Sequence, residues 1–339
     1  MLNQVFQLVS PRNFLVKHEE LNIDDAKVLV KPIYMALCHA DQRYYQGKRE
    51  PHILAKKLPM ALIHEACGVV VSDPTNTFKV GQKVVMIPNS PPRESDAEFY
   101  ENYMKGTKFL SSGFDGFMQE IVALPQDRLV KYDDIDDHIA VISEFVSVTM
   151  HAIDRFEKIA HSMRKSVVIL GDGSLSYVLA TSLTYLYPEI KVTVVGRNHE
   201  KLRMFNFVEH TYLTNEVPEN ISFDHAFECC GGMGSEQAVN DIIKYINPQG
   251  TVVLMGVSDM KVAINTRDIL EKGLILVGSS RSGRVDFQNT IKMLENKRIQ
   301  NRLKNILYEE RPVKSITDIH RVFEVDLSTS FKTIFKWDI

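Results

Sequence analysis

Cysteine is scarce. Cys38, Cys67, Cys229 and Cys230 are the only four in 339 residues, too few for a disulfide framework, and a reducing, cytoplasmic compartment fits that count. No apolar run approaches the roughly 20 residues that cross a bilayer. The opening stretch, MLNQVFQLVSPRNF, lacks the basic and apolar segments of a secretory signal. An excess of one charge is missing too: 40 Lys and Arg stand against 43 Asp and Glu, a net charge of −3, with no polycationic footprint for nucleic acid. There is no internal repeat and no low-complexity tract. What is present is ordinary for a globular protein, 44% hydrophobic and 24% charged residues. The length suits about two domains of roughly 150 residues.

The first third reads as β-rich. KVLVKPIYMAL (27–37), ACGVVVSD (66–73) and QKVVMIPN (82–89) are short apolar runs punctuated by Pro, Gly and Asp. A sandwich or barrel-like domain follows from them. The loop from Pro88 to Ser112 is polar and irregular. Beyond the acidic stretch at Asp133–Asp137 the texture changes. HIAVISEFVSVTMHAIDRFEKIA has apolar residues at helical intervals, and strands then alternate with helices. Five strands are predicted: SVVILG (166–171), KVTVVG (191–196), FDHAFECC (223–230), GTVVLMGV (250–257) and LILVGSS (274–280). Continuous Val/Ile/Leu strands alternating with helices predict a parallel sheet covered on both faces, a doubly wound α/β domain. The sequence pattern places it at 149–280. The remaining stretches, 1–148 and 281–339, are expected to fold together as the other domain.

In VVILGDGSLSYVLA a buried strand runs through Gly171 and Gly173 into a helix, with Ser176 at the place of a third glycine. Such a turn presents free N–H groups and the helix dipole to a pyrophosphate. A lone G-x-G is more often just a tight turn; its place inside a β-α-β pattern favours the nucleotide reading. The anion site is therefore expected at Gly171, Gly173, Ser174 and Leu175, with Cys229 at the end of the third strand. The second strand ends in Gly196-Arg197-Asn198, with Lys201 a turn onward. An NAD site would carry Asp or Glu there for the ribose hydroxyl. A guanidinium instead suits a 2′-phosphate, although it also reads as a solvated surface arginine. The cofactor expected is NADP(H).

Two further stretches carry metal-ligating side chains: ALCHADQRYY, with Cys38 and Asp41, and LPMALIHEACG, with His64 and Glu65. Alone, Cys38 reads more readily as an inert buried thiol than as a ligand. Together, Cys-x-x-Asp, then His-Glu-x-x-Gly, then a dinucleotide-binding half resemble the zinc-dependent medium-chain dehydrogenases over essentially the whole chain. That resemblance implies a mostly-β, GroES-like catalytic domain beside a doubly wound (Rossmann) nucleotide domain. It also implies one catalytic zinc on Cys38 and His64, with Glu65 as an alternative or additional ligand. SEFVSVTMHAI resembles the segment that gives the polyol dehydrogenases a further ligand, here Glu144. The loop at 88–112 has no cysteine, so the four-cysteine structural zinc of many relatives is not expected. Ala40 stands where the family starts a proton relay with Ser or Thr, leaving Tyr44, His39 or water for that step.

Longer segments, among them ADQRYYQG, LPMALIHE, FDHAFECCGG, NTRDILEKGLILVGSSRSG and DLSTSFKTIFKW, resemble one branch of that family. Its members reduce ribulose 5-phosphate to ribitol 5-phosphate with NADPH, for wall teichoic acid, beside a cytidylyltransferase. The resemblance implies a sugar-phosphate substrate and a homodimer formed through LILVGSS. Five cations (Arg43, Lys48, Arg49, Lys56 and Lys57) against the single acid Glu50 follow the zinc cysteine. Arg43 and then Arg49 are expected to hold the phosphate, although such a run also reads as a solvated face. Arg281 is expected to order water at the metal. Two other readings stay open: a dehydrogenase of unphosphorylated polyols or alcohols, which comparison of ribulose with its 5-phosphate would reveal, and a non-catalytic nucleotide-binding subunit, against which the intact ligand set argues.

Overall fold

The chain opens with an antiparallel hairpin, Leu2–Ser10 against Asn13–Glu20, ahead of the first strand read from the sequence. The computed structural model describes residues 1–21, 26–92 and 99–339, and these form two units: Met1–Ser147 with Ser282–Ile339, and Val148–Arg281.

In the first unit Val28–Ala36 lies inside a seven-stranded sheet. Glu65–Ser72 pairs with it antiparallel on one side and Lys332–Trp337 antiparallel on the other. That second pairing is how the last 60 or so residues join the β-rich domain. The register sets Ala36 opposite both Glu65 and Ile334, and the Leu37 N–H donates to the Thr333 carbonyl at 2.9 Å. Three distant segments thus end side by side just where Cys38 begins a helix. Beneath them lies a core that includes Met35, Leu37, Ile63, Phe117 and Phe335, with Phe6 edge-on to Trp337 at 5.4 Å. The described part of the 88–112 loop contains a short ladder, Asn89–Ser90 against Lys108–Phe109, and one 3-10 turn at Glu101–Tyr103; residues 93–98 lie outside the described residues.

The second unit is a parallel sheet in the order His210–Leu213, Lys191–Gly196, Ser166–Leu170, His225–Glu228, Thr251–Leu254, Ile275–Gly278. This 3-2-1-4-5-6 order is the doubly wound dinucleotide arrangement. It has six strands where the pattern predicts five. The extra one, His210–Leu213, is a half-exposed edge strand whose sequence HTYL offers no apolar run to detect. The long helix expected across 138–160 is also two: Asp137–Ala140 and Ser143–Ile159. Ser143 and Glu144 are the residue types that start a helix afresh. No helix among the described residues is long and apolar enough to cross a membrane.

Candidate metal centre and cofactor cleft

Cys38 is the N-cap of the helix His39–Tyr45, with extended backbone (φ −104°, ψ 150°). Three residues on, Asp41 turns its carboxylate back to accept the Cys38 N–H at 3.3 Å. The Cys-x-x-Asp spacing is thus a capping box, and it fixes the thiol at the mouth of the helix. Asp41 is fully buried and does more. Its Oδ1 accepts the Ser111 hydroxyl at 2.7 Å and the Ile63 N–H at 3.1 Å, while Oδ2 lies 3.5 Å from His64 Nδ1. Burial would raise its pKa, but His64 and these hydrogen bonds hold it below the usual carboxylate value. A carboxylate on one imidazole nitrogen orients the ring and frees the other nitrogen for a metal.

The backbone carrying His64 is forced. Ile63 has φ +69°, a left-handed conformation that costs a β-branched residue on the order of 1–3 kcal/mol. Its carbonyl accepts the Phe117 N–H at 2.7 Å. A Cβ on Gly116 would come within 2.4 Å of the same carbonyl oxygen, so only glycine lets this segment approach. Phe109 closes over the imidazole, ring centroids 5.3 Å apart.

The donor atoms of Cys38, His64 and Glu65 all lie within 4.8 Å of one another. Glu65 is completely buried. One of its oxygens, Oε1, accepts from the Lys332 ammonium; the other, Oε2, is buried with no partner. Burial pushes the Glu65 carboxyl up to about 7, with Lys332 pulling the other way and Glu144 adding to the rise. Lys332 is buried too, 4.4 Å above the Phe145 ring, and although burial would lower it, Glu65, Cys38 and Glu144 together raise it. Burial would likewise lower His64, but Asp41 and Cys38 hold it well above its ordinary value. A thiol, an imidazole and a carboxylate with one unpartnered oxygen, packed within a ligand's reach of each other, suit a catalytic zinc with a position left open. Glu144, buried near the start of its helix, interacts electrostatically with Glu65 and Lys332 but is not one of the three convergent donors.

Of the other expected residues, Tyr44, Arg43, Arg49 and His39 follow Cys38 closely in the chain, and Arg281 belongs to the other unit. Tyr44 is buried, with the Arg49 guanidinium over its ring at 4.7 Å and the Lys57 ammonium at 5.8 Å. The half-buried Arg43 donates from Nε to the Lys48 carbonyl at 3.4 Å. Burial, then Arg43, lowers the pKa of His39. Arg281 is the exposed last residue of the second unit, at φ +60°. Lys332 and the role of Asp41 escape sequence reading, Lys332 because it lies 267 positions from Glu65.

In the second unit Gly171, Gly173, Gly196, Arg197 and Cys229 line one cleft of about 200 Å³. Gly171 has φ +130°, and a Cβ there would meet the Ser176 hydroxyl at 2.8 Å. Gly173, the N-cap of the helix Ser174–Leu186, faces open space. Ser174 and Leu175 form the first turn of that helix, and Lys201 donates its backbone N–H to Asn198 at 3.1 Å; none of these three lines the cleft. The residue that organises the cleft is Asp172, inside the glycine turn. Its Oδ2 accepts the N–H groups of both Arg197 and Asn198 at 2.7 Å, tying the phosphate turn to the end of the second strand. A Cβ on Gly196 would strike the Asp172 side chain, its Cβ at 2.6 Å and Oδ2 at 2.7 Å. Burial and Glu228 raise Cys229 well above its ordinary value, so it stays a thiol.

Known proteins resemble this chain over its whole length. The alcohol dehydrogenase GroES-like domain matches residues 24–134, and the glucose dehydrogenase C-terminus matches 137–334. The ribulose-5-phosphate reductase of Streptococcus pneumoniae is 61% identical over 100% of this chain and 98% of its own length. That of Bacillus spizizenii is 44% identical over the whole of both chains. The crystal structure of S. aureus TarJ in complex with NADPH superposes with a TM-score of 0.90 at 45% identity, covering 100% of each chain. The chain therefore belongs to the zinc-dependent medium-chain dehydrogenase/reductase family, in the branch of the ribulose-5-phosphate reductases.

Proposed function

We propose that this chain reduces D-ribulose 5-phosphate to D-ribitol 5-phosphate with NADPH, feeding CDP-ribitol and wall teichoic acid synthesis in the cytoplasm. The observation that carries the reading is the convergence of Cys38, His64 and Glu65 in a chain 61% identical, end to end, to a ribulose-5-phosphate reductase.

When bound, one zinc per chain would supply Lewis acidity toward the ketose carbonyl, and NADPH the hydride. Cys38, His64 and Glu65 would hold the metal, with Glu144 as the alternative carboxylate to Glu65. Asp41 keeps the His64 ring in its ligating orientation. Lys332 balances the buried negative charge of the cluster and restrains Glu65 through one oxygen. Tyr44 or His39 passes a proton to the product, because Ala40 has no hydroxyl. Arg281 helps order water. Arg43 and Arg49 attract the substrate phosphate. Gly171, Gly173 and the helix starting at Ser174 receive the cofactor pyrophosphate, and Arg197, held by Asp172, takes its 2′-phosphate.

A dimer through the edge strand Ile275–Gly278 is part of the same reading. Ile275 is 40% exposed there, and the same unit also exposes Val257, Met260 and Leu270 at 69%, 73% and 80%. Sedimentation would reveal a dimer, and adding a cytidylyltransferase would reveal any association with that enzyme.

The test of function is steady-state turnover on a panel of ketoses, free and phosphorylated, with NADPH and NADH. Ribulose 5-phosphate with NADPH should exceed ribulose in kcat/KM by at least about 100-fold, the worth of roughly 3 kcal/mol of phosphate contacts. Equal rates on the two sugars would make the chain a polyol dehydrogenase instead.

A further inference from the structure

We infer that Arg49 and Lys57, both set over the ring of Tyr44, form the grip for the substrate's phosphate and so decide phosphorylated against free sugar; the inference rests on the proposed reduction of a sugar phosphate.

Among the described residues neither cation meets an anionic partner. Among the described residues Arg49 makes no hydrogen bond and no ion pair, and its Nε is buried without a partner. Among the described residues Lys57 donates only to a neutral oxygen, Ser112 Oγ, at 2.7 Å. Glu50, the single acid between residues 43 and 57, is committed to His52 at 3.2 Å, with both side chains exposed. A merely solvated face would leave its charged heads in water; here a guanidinium nitrogen is out of water and unsatisfied, a cost that a bound anion removes. Tyr44, only 2% exposed, gives both cations a fixed platform.

The pair is also tied to the metal cluster through shared segments. Tyr44 lies on the helix capped by Cys38. Ser112, the partner of Lys57, follows Ser111, whose hydroxyl donates to the Asp41 that holds His64. One rigid pair of segments thus carries both the carbonyl-activating cluster and an anion site. A substrate with a carbonyl at one end and a phosphate dianion at the other needs both held at once. Two separate cations meet a dianion better than one, and Arg offers it two parallel donors.

The experiment uses the full-length, zinc-loaded protein with NADPH. Values of kcat/KM for ribulose 5-phosphate and for ribulose are measured in the wild type, Arg49→Met, Lys57→Met and Lys57→Arg. Inhibition by inorganic phosphate and the NADPH dissociation constant are measured alongside, and zinc content and circular dichroism report folding. Each methionine variant should cut the preference for the phosphorylated sugar roughly 10- to 100-fold and weaken phosphate inhibition, while Lys57→Arg retains most of both. Preference and phosphate inhibition unchanged in both methionine variants would overturn the inference. So would a loss confined to NADPH affinity, which would assign the cations to the cofactor's phosphates. A wild type with no preference at all is the distinct outcome that removes the proposed function itself. If Arg49→Met fails to fold, Lys57→Met, whose side chain is only partly buried, decides alone.

Discussion

Glu65 and Glu228, the most deeply buried glutamates of their respective units, are satisfied in opposite ways. Glu228, 1% exposed at the end of a central parallel strand, has both oxygens occupied by backbone: Oε1 by the N–H groups of Cys230 and Gly231 at 2.8 and 3.0 Å, Oε2 by that of Gly256 at 3.0 Å. Glu65, fully buried, has one oxygen on a lysine side chain and the other on nothing. Backbone N–H groups are fixed by the fold and carry no net charge, so Glu228 is a brace for the loops around the cofactor cleft. A side-chain ammonium and an empty oxygen leave Glu65 able to take a second partner. Buried charge alone does not mark a site; an incompletely satisfied one does.

The largest effect should come from removing a cluster ligand. Cys38→Ser should lose bound zinc, and activity by well over 100-fold, since even the outer partners of metal ligands are worth about 10- to 100-fold. Elemental analysis beside circular dichroism checks this, and a metal-free variant with wild-type turnover contradicts it. Next, Arg197→Ala should weaken NADPH binding about 10- to 150-fold while scarcely altering NADH, because the charge-assisted bonds it removes are made only to the 2′-phosphate. Titration by cofactor fluorescence reads both; a wild type that already prefers NADH would reverse the assignment of Arg197.

Asp41→Asn keeps an acceptor for the Ile63 N–H but removes the charge facing His64. Zinc affinity measured against a competing chelator should fall about 10- to 100-fold. An unchanged affinity would reduce Asp41 to a helix cap. Smallest in its functional consequence is Glu228→Gln, which puts an amide NH₂ among backbone donors. It should cost about 1–3 kcal/mol of stability by denaturant titration and leave turnover per folded molecule near wild type. If Glu228→Gln instead abolished turnover in the folded protein, the contrast between the two glutamates would collapse.

Much of this was readable along the chain because it is local. The five strands read for the parallel sheet fall in mostly apolar runs, and Gly171, Gly173 and the Cys38 and His64-Glu65 motifs declare themselves within a few residues. Legibility fails where the partner is far away or the signal is weak. Lys332 reaches Glu65 only because Lys332–Trp337 pairs with Val28–Ala36, and nothing in FKTIFKW distinguishes that lysine from Lys336. Asp172 hides as the variable residue of a glycine turn, and its purpose appears only when the second strand's end is folded against it. Glu144 came through family resemblance alone. The backbone strain at Ile63 has no sequence signature, since a β-branched residue is the last type expected at a positive φ.

The most direct test of the central claim follows ribitol 5-phosphate formation from ribulose 5-phosphate and NADPH in the protein as isolated, after chelation, and after zinc is restored. The account predicts product in the first state, its loss in the second while the fold persists, and its return in the third. Undiminished product after complete removal of zinc, or no ribitol 5-phosphate from the zinc-loaded protein, would contradict it.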